Sequence, residues 1–153
     1  MIAYLGLGTN LGAKADNLLR AIAEIEKRIG SVVAQSSFLQ TAPWGFDSEN
    51  DFLNAAVAVE THIDPFALLD ITREIERDMG REGKSVNGAY HDRIIDIDIL
   101  VYGDSFIDTP QLKVPHPFLS QRLFVLEPLA EIAPSLIPPR CTSTVEEMKR
   151  QLT

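Results

Sequence analysis

The chain is 153 residues long, which predicts a single domain over residues 1–153 with a sizeable core. Its net charge of −8 argues against nucleic acid as a partner, because binding DNA or RNA needs a basic surface. One cysteine, Cys141, excludes a disulfide framework and a cysteine-based metal cluster. No apolar run approaches membrane-spanning length, so we expect a cytoplasmic, monomeric enzyme or binding module that does not contact a membrane.

An apolar strand is predicted over residues 2–8, and it ends in a glycine-rich stretch, 6–12. This stretch resembles a dinucleotide-binding fingerprint, but its third glycine comes one position late. Val32 and Val33 also stand where that fingerprint requires an acidic residue. We therefore reject it and interpret the glycines as a tight turn that passes near a ligand.

Apolar residues at helical spacing predict a core-covering helix over 16–29, and strand character returns over 31–41. The turn-rich stretch 42–50 contains the only tryptophan, Trp44, and is too long for a tight hairpin. Such a loop is either a lid over a ligand or a segment that its tryptophan anchors to the core.

A second long strand is predicted over 51–61, with the polar amide of Asn54 in an otherwise apolar run. This amide either bonds to a neighbouring loop at a strand end or reads the edge of a heterocyclic ligand. Asp64, as N-cap, and Pro65, at the first position, then begin a helix that ends at Gly80.

A polar loop over 81–92 leads into a strand over 93–102, in which isoleucine and aspartate alternate. The carboxylates of Asp96 and Asp98 therefore lie on one face, about 6.7 Å apart along the strand. They repel each other unless a cation lies between them, and oxygen-only ligands suit a hard ion such as Mg²⁺. The alternative is the solvated face of an amphipathic strand, although Arg93 beside it favours a phosphate site.

The rest of the chain reads as an extended piece up to residue 117, short helical turns over 118–133 and a small helix over 145–152. The order strand, helix, strand, strand, helix, strand is the ferredoxin-like βαββαβ pattern of the α+β class. It predicts an antiparallel sheet with helices on one face, plus a short C-terminal extension.

Other residues that could bind a ligand surround the aspartate strand in the sequence. They are four cations, a histidine between two prolines, and two aromatic residues: Arg81, Lys84, Arg93, Arg122, His116, Phe52 and Phe124. Together they predict a planar, apolar ligand beside a metal-bound polyphosphate. In phosphoryl-type transfer the protein mainly positions the reactants and stabilises charge.

The sequence closely resembles the 6-hydroxymethyl-7,8-dihydropterin pyrophosphokinase family of the folate pathway. Six matching segments occur in order over nearly the whole chain: residues 4–12, 41–45, 52–57, 75–76 with 80–81, 93–100, and 114–117 with Arg122 and Phe124. The segment 93–100 is the most diagnostic of them. Any one match alone would be weak, whereas the ordered set is very specific.

The resemblance implies transfer of the β,γ-diphosphate of ATP, the co-substrate, to the hydroxymethyl group of the pterin, with release of AMP. It also implies that Asp96 and Asp98 hold two Mg²⁺ ions and that Arg81 and Arg93 act with them in catalysis. The pterin-binding residues it implies are Thr41, Pro43, Trp44, Gly45, Phe52, Asn54 and Phe124. The ATP-binding residues it implies are Glu76, Arg81, Lys84, Arg93, Ile99, His116 and Arg122.

This chain departs from the family pattern in the loop before the aspartate strand. Tyr90 stands where the family often has a tryptophan, and Lys84 is the only second cation after Arg81. Residues 118–121, between His116 and Arg122, lack the basic residue that some members have there.

Other interpretations are open for single residues and for the whole chain. The histidine could be a packed loop residue, the two phenylalanines could be core, and Arg122 could pair with surface acids. At the level of function, a ferredoxin-like module could sense a nucleotide or metabolite without turnover. A different Mg²⁺-dependent phosphotransferase or nucleotidyltransferase would share the acidic pair but not the aromatic pocket.

Overall fold

The computed structural model describes residues 1–42, 51–80 and 94–153. The elements in chain order are β1 (Ile2–Thr9), α1 (Lys14–Arg28), β2 (Ser31–Gln35), β3 (Leu39–Thr41), β4 (Phe52–Glu60), α2 (Pro65–Gly80), β5 (Asp96–Tyr102), β6 (Ile107–Asp108), β7 (Lys113–Val114), a 3-10 turn (Leu119–Gln121), α3 (Leu123–Ile132) and α4 (Val145–Gln151). No helix among these described residues is long and apolar enough to span a membrane.

The main sheet has the strand order β2-β4-β1-β5, and all of its pairs are antiparallel. Strand β3 continues the pairing along β4 where β2 ends. The predicted α+β class and the ferredoxin-like βαββαβ order are thereby confirmed, with β1 central between β4 and β5.

The strand predicted over 31–41 is interrupted at Ser36. Its backbone N–H donates to the carbonyl of Ala56 (2.9 Å), and its hydroxyl oxygen accepts from the N–H of Ala56 (2.9 Å). The side chain thus satisfies a ladder position that a backbone carbonyl would otherwise fill. The result is two shorter strands, β2 and β3, on the same partner strand.

Helices cover both faces of the sheet, whereas the sequence order predicted helices on one face only. Helices α1 and α2 pack on the first face through residues such as Leu18, Ile25 and Ile75. Helices α3 and α4 pack on the second face through residues such as Leu126 and Met148. The predicted short turns over 118–133 are therefore wrong in part, because most of this stretch is the ten-residue helix α3.

Strand β5 alternates as predicted up to Ile99 and then changes. Ile97 and Ile99 face the α1/α2 core, so Asp96 and Asp98 lie on the opposite face, beside α3. The pairing register with β1 shifts between Tyr4 and Leu5. At this bulge Leu100 and Val101 join the α3/α4 core, whereas Tyr102 returns to the α1/α2 core.

Candidate active site

The register of three neighbouring strands assembles the site on the α3 side of the sheet. Gly8 of β1 is paired with Asn54 of β4 on one side and with Asp96 of β5 on the other. The next row on this face has Gly6 between Ala56 and Asp98. A polar amide and an acidic pair thus lie on one face with glycines between them.

Glu76 of α2 completes an acidic cluster at the edge of β5. Its Oε2 accepts a hydrogen bond from the backbone N–H of Ile97 (2.8 Å), and its carboxyl group also hydrogen-bonds to Asp96. Burial, opposed by the Ile97 N–H and assisted by the hydrogen bond to Asp96 and the charges of Asp96 and Asp98, raises the pKa of Glu76 from 4.5 to about 8. Glu76 is therefore mostly protonated at neutral pH and can donate its proton to Asp96.

His116 lies alongside β5, near the same acidic cluster. Its backbone N–H donates to the carbonyl of Leu100 (2.8 Å), and its Nδ1 accepts from the N–H of Phe118 (3.1 Å). The proton of the neutral ring is therefore on Nε2. Burial and the nearby Arg122 lower the pKa of His116 to about 4, although Asp96 opposes this, so the imidazole is neutral at pH 7.

Arg122 is held between aromatic rings at the start of α3. Its guanidinium carbon is 4.9 Å from the ring centroid of Phe118 and 5.7 Å from that of Phe124, within the range of cation–π attraction. The residue is 5% exposed, and its carbonyl accepts the first helical hydrogen bonds of α3. A cation in this position is fixed in direction by packing.

The amide of Asn54 lies opposite the acidic cluster and is 4% exposed. Its Nδ2 donates to the hydroxyl of Thr41 on β3 (2.6 Å), so the side chain bonds to a neighbouring strand. On its other side, a Cβ atom at Gly8 would lie 3.0 Å from Oδ1 of Asn54 and 3.5 Å from Cδ1 of Phe52. Phe52 and Asn54 therefore both border Gly8.

The strand predicted over residues 2–8 is confirmed as β1, whereas the interpretation of all the glycines at 6, 8 and 12 as a tight turn was wrong. Gly6 and Gly8 lie inside the central strand β1, and Gly12, with φ of 68°, is at the turn. The missed signal was their spacing of two residues, which sets both glycines on one face of a strand. The contact of Phe118 with Arg122 was missed as well, since the pattern assigned no role to that ring.

Several predicted site residues lie outside the described residues: Pro43, Trp44, Gly45, Arg81, Lys84, Tyr90 and Arg93. Ile99 is described, and its side chain is in the α1/α2 core, so only its backbone could meet a ligand. Within the described ranges, no group of three or more His, Cys, Asp or Glu side chains is arranged to hold a metal ion. The described acidic pair offers two carboxylates.

Comparison with known proteins identifies the family. The family model for 7,8-dihydro-6-hydroxymethylpterin-pyrophosphokinase (HPPK) matches residues 4–134. The chain is 46% identical over 138 residues to the 2-amino-4-hydroxy-6-hydroxymethyldihydropteridine pyrophosphokinase of Porphyromonas gingivalis, covering 90% of this chain and 94% of that protein. It is 42% identical over 132 residues to the protein of the same name from Bacillus subtilis, covering 86% and 77%.

A solved structure gives the same fold at lower sequence identity. The HPPK-DHPS protein of Plasmodium falciparum superposes with a TM-score of 0.80 at 20% identity, covering 99% of this chain. This chain spans 44% of the length of that protein. With the family model matching most of its length, the chain belongs to the 7,8-dihydro-6-hydroxymethylpterin-pyrophosphokinase family.

Proposed function

We propose that this protein transfers the β,γ-diphosphate of ATP to the hydroxymethyl group of 6-hydroxymethyl-7,8-dihydropterin and releases AMP, a step of folate biosynthesis. One observation carries the proposal: an amide and an acidic pair share one face of the sheet, with Gly8 between Asn54 and Asp96. Two strand spacings separate them, about 9.6 Å. This distance suits a flat ligand that is recognised by Asn54 at one end and reacts beside the acidic pair at the other.

The acidic pair fits Mg²⁺ in number and chemistry. Mg²⁺ usually takes one or two protein carboxylates and completes its shell with water and substrate phosphates. Asp96 and Asp98 would hold two such ions, and the bound metal would polarise the attacking hydroxyl and neutralise phosphate charge. Glu76 would support this by fixing the carboxylate of Asp96 and the edge of β5.

The pterin would lie against Phe52 and Phe124, with Asn54 reading its edge. Ring faces attract a flat heterocycle by roughly 0.5–1.5 kcal/mol beyond area burial. The hydroxyl of Thr41 uses one N–H of the Asn54 amide, which retains a second N–H and its oxygen for the ligand. Backbone groups of residues 41–45 would add to this recognition.

The nucleotide would bind on the His116 side of the acidic pair. Neutral His116 offers its Nε2–H as a donor to a phosphate oxygen, and Arg122 offers a permanent positive charge. Glu76, Lys84 and the backbone of Ile99 would also border the nucleotide, and Arg81 and Arg93 would contact its phosphates.

Product analysis tests the proposal directly. Purified protein is incubated with Mg-ATP and 6-hydroxymethyl-7,8-dihydropterin, and the products are identified by mass spectrometry. We expect AMP and a diphosphorylated pterin in equal amounts. ADP with a monophosphate ester would indicate a simple kinase, and bound pterin without ATP consumption would indicate a binding module.

A further inference from the structure

The side chain of Asn54 is confined from two sides by different strands. On one side its Nδ2 donates to the hydroxyl of Thr41 in β3, at 2.6 Å. On the other side its Oδ1 lies against Gly8 of β1, where a Cβ atom would come within 3.0 Å. That separation is shorter than ordinary van der Waals contact, so a side chain at position 8 would require the amide to move by a few tenths of an ångström.

The other glycine on this face provides an informative contrast. A Cβ atom at Gly6 would meet the side chain of Leu100, at 3.3 Å from Cδ1 and from Cδ2, inside an apolar core. Leucine side chains can shift rotamer, and no polar group is displaced. The two glycines therefore occupy equivalent strand positions but touch different chemistry.

We infer that Gly8 is a positioning residue for ligand recognition, because it and Thr41 together clamp the amide of Asn54 in one orientation. The inference rests on the proposed function, in which Asn54 reads the edge of the pterin. An alanine at position 8 would push Oδ1 away from β1. The Thr41 hydroxyl already lies at 2.6 Å on the opposite side, so the amide could yield only by rotating or by displacing Thr41, and either change misaligns its donors and acceptor.

The specificity of this clamp is toward the heterocycle and not toward the nucleotide. Gly8 borders Asn54 and the ring of Phe52, whereas His116 lies alongside β5, toward the proposed phosphate site. A substitution at position 8 should therefore weaken the affinity for the pterin and leave the affinity for the nucleotide nearly unchanged. A general loss of structure would weaken both.

Calorimetric titration of wild type, Gly8→Ala and Gly6→Ala, with the pterin and with a non-hydrolysable ATP analogue in Mg²⁺, tests this. For Gly8→Ala we expect the Kd of the pterin to rise about tenfold or more, with the Kd of the nucleotide within about twofold of wild type. Gly6→Ala, the matched control, should keep both constants near wild type.

Thr41→Val is the second variant, because it removes the other side of the clamp and keeps the strand backbone even if Gly8→Ala does not fold. It should raise the Kd of the pterin selectively, and its effect should not add to that of Gly8→Ala. Unchanged pterin affinity in Thr41→Val, or equal losses in the two glycine variants, would overturn the clamp and leave the proposed function standing. A wild type that binds no pterin would overturn both.

Discussion

At each edge of the described sheet, one strand receives a carboxylate from the helix that comes before it in the chain. At one edge, Glu26 of α1 accepts from the backbone N–H of Val32 in β2, at 2.6 Å. At the other, Glu76 of α2 accepts from the backbone N–H of Ile97 in β5, at 2.8 Å. An edge strand has outward N–H groups that could pair with another chain, and a carboxylate satisfies one of them.

The surroundings of the two carboxylates differ. Glu26 is exposed, and the strand it contacts, β2, contains no acidic residue. The neighbouring Val33 of β2 has 57% of its surface exposed. Glu76 is partly buried and hydrogen-bonds to Asp96, and its pKa is raised to about 8. The same backbone contact therefore protects a strand at one edge and belongs to a polar cluster at the other.

The contact between a helix carboxylate and an edge strand occurs at both edges of the described sheet, whereas the acidic pair occurs only at β5. In both halves of the βαββαβ fold a helix carboxylate reaches the neighbouring edge strand, so this contact alone indicates no function. The difference arises from β5, whose alternation sets Asp96 and Asp98 on the face that also holds Asn54 and Gly8. Variants at the two edges should accordingly have unequal effects.

The largest effect is expected for Asp98→Asn or Asp96→Asn. Loss of a metal-binding carboxylate removes several kcal/mol of charge stabilisation, so turnover should fall roughly a thousandfold. Pterin affinity should change much less, because Asn54 and the aromatic rings are intact. Steady-state kinetics and calorimetry measure both, with Glu26→Gln as the control at the opposite edge. Retained turnover in both variants would remove the acidic pair from the mechanism.

Phe124→Ala should weaken pterin binding more than nucleotide binding. Losing a stacked ring and its buried area costs about 1–3 kcal/mol, roughly fivefold to 150-fold in the Kd of the pterin. Phe106→Ala is the matched control, because that ring also contacts an arginine, Arg140 at 3.8 Å, but lies in a different part of the surface. Equal losses for both ligands in Phe124→Ala would argue against stacking.

The sequence predicted those parts of the molecule that depend on local periodicity. The alternation in β5 identified Asp96 and Asp98 with no knowledge of their neighbours. The hydrogen bond from Ile97 to Glu76 joins residues 21 positions apart, and that from Asn54 to Thr41 joins residues 13 apart. Such contacts depend on how elements pack, which no local pattern specifies.

The role of Gly8 was missed for the same reason. A glycine between Asn54 and Asp96 is informative only once the register of β1 with both partner strands is known. Read alone, the run of glycines at 6, 8 and 12 is typical of a turn, and only Gly12 has the positive φ of one.

Glu76→Gln should change how stability depends on pH in metal-free protein. The pKa of this carboxyl is about 8 in the folded state and 4.5 ordinarily, so folding takes up a proton. Its stabilising contribution is complete below pH 4.5 and is lost as pH rises through 8. Glutamine mimics the protonated acid, so the variant should avoid a loss on the order of 1 kcal/mol between about pH 7 and pH 9.

Urea unfolding with a chelator present measures this difference at the two pH values. The window avoids His116, whose pKa is lowered from 6.5 to about 4, so that its own effect on stability is confined to more acidic solution. Glu26→Gln should parallel the wild type across the same window. A Glu76→Gln profile that also parallels the wild type would mean that Glu76 carries no proton in the folded protein.

The smallest effect is expected for Glu26→Ala. The N–H of Val32 loses its carboxylate acceptor, but this edge is exposed and water can replace the acceptor. The free energy of unfolding should therefore fall by less than about 1 kcal/mol relative to wild type. Turnover should be unchanged, and so should the sedimentation coefficient, because the register shift between Val32 and Ala34 still interrupts the edge ladder. Self-association of the variant in sedimentation velocity would mean that the carboxylate, and not the shift, is what keeps β2 from pairing with another chain.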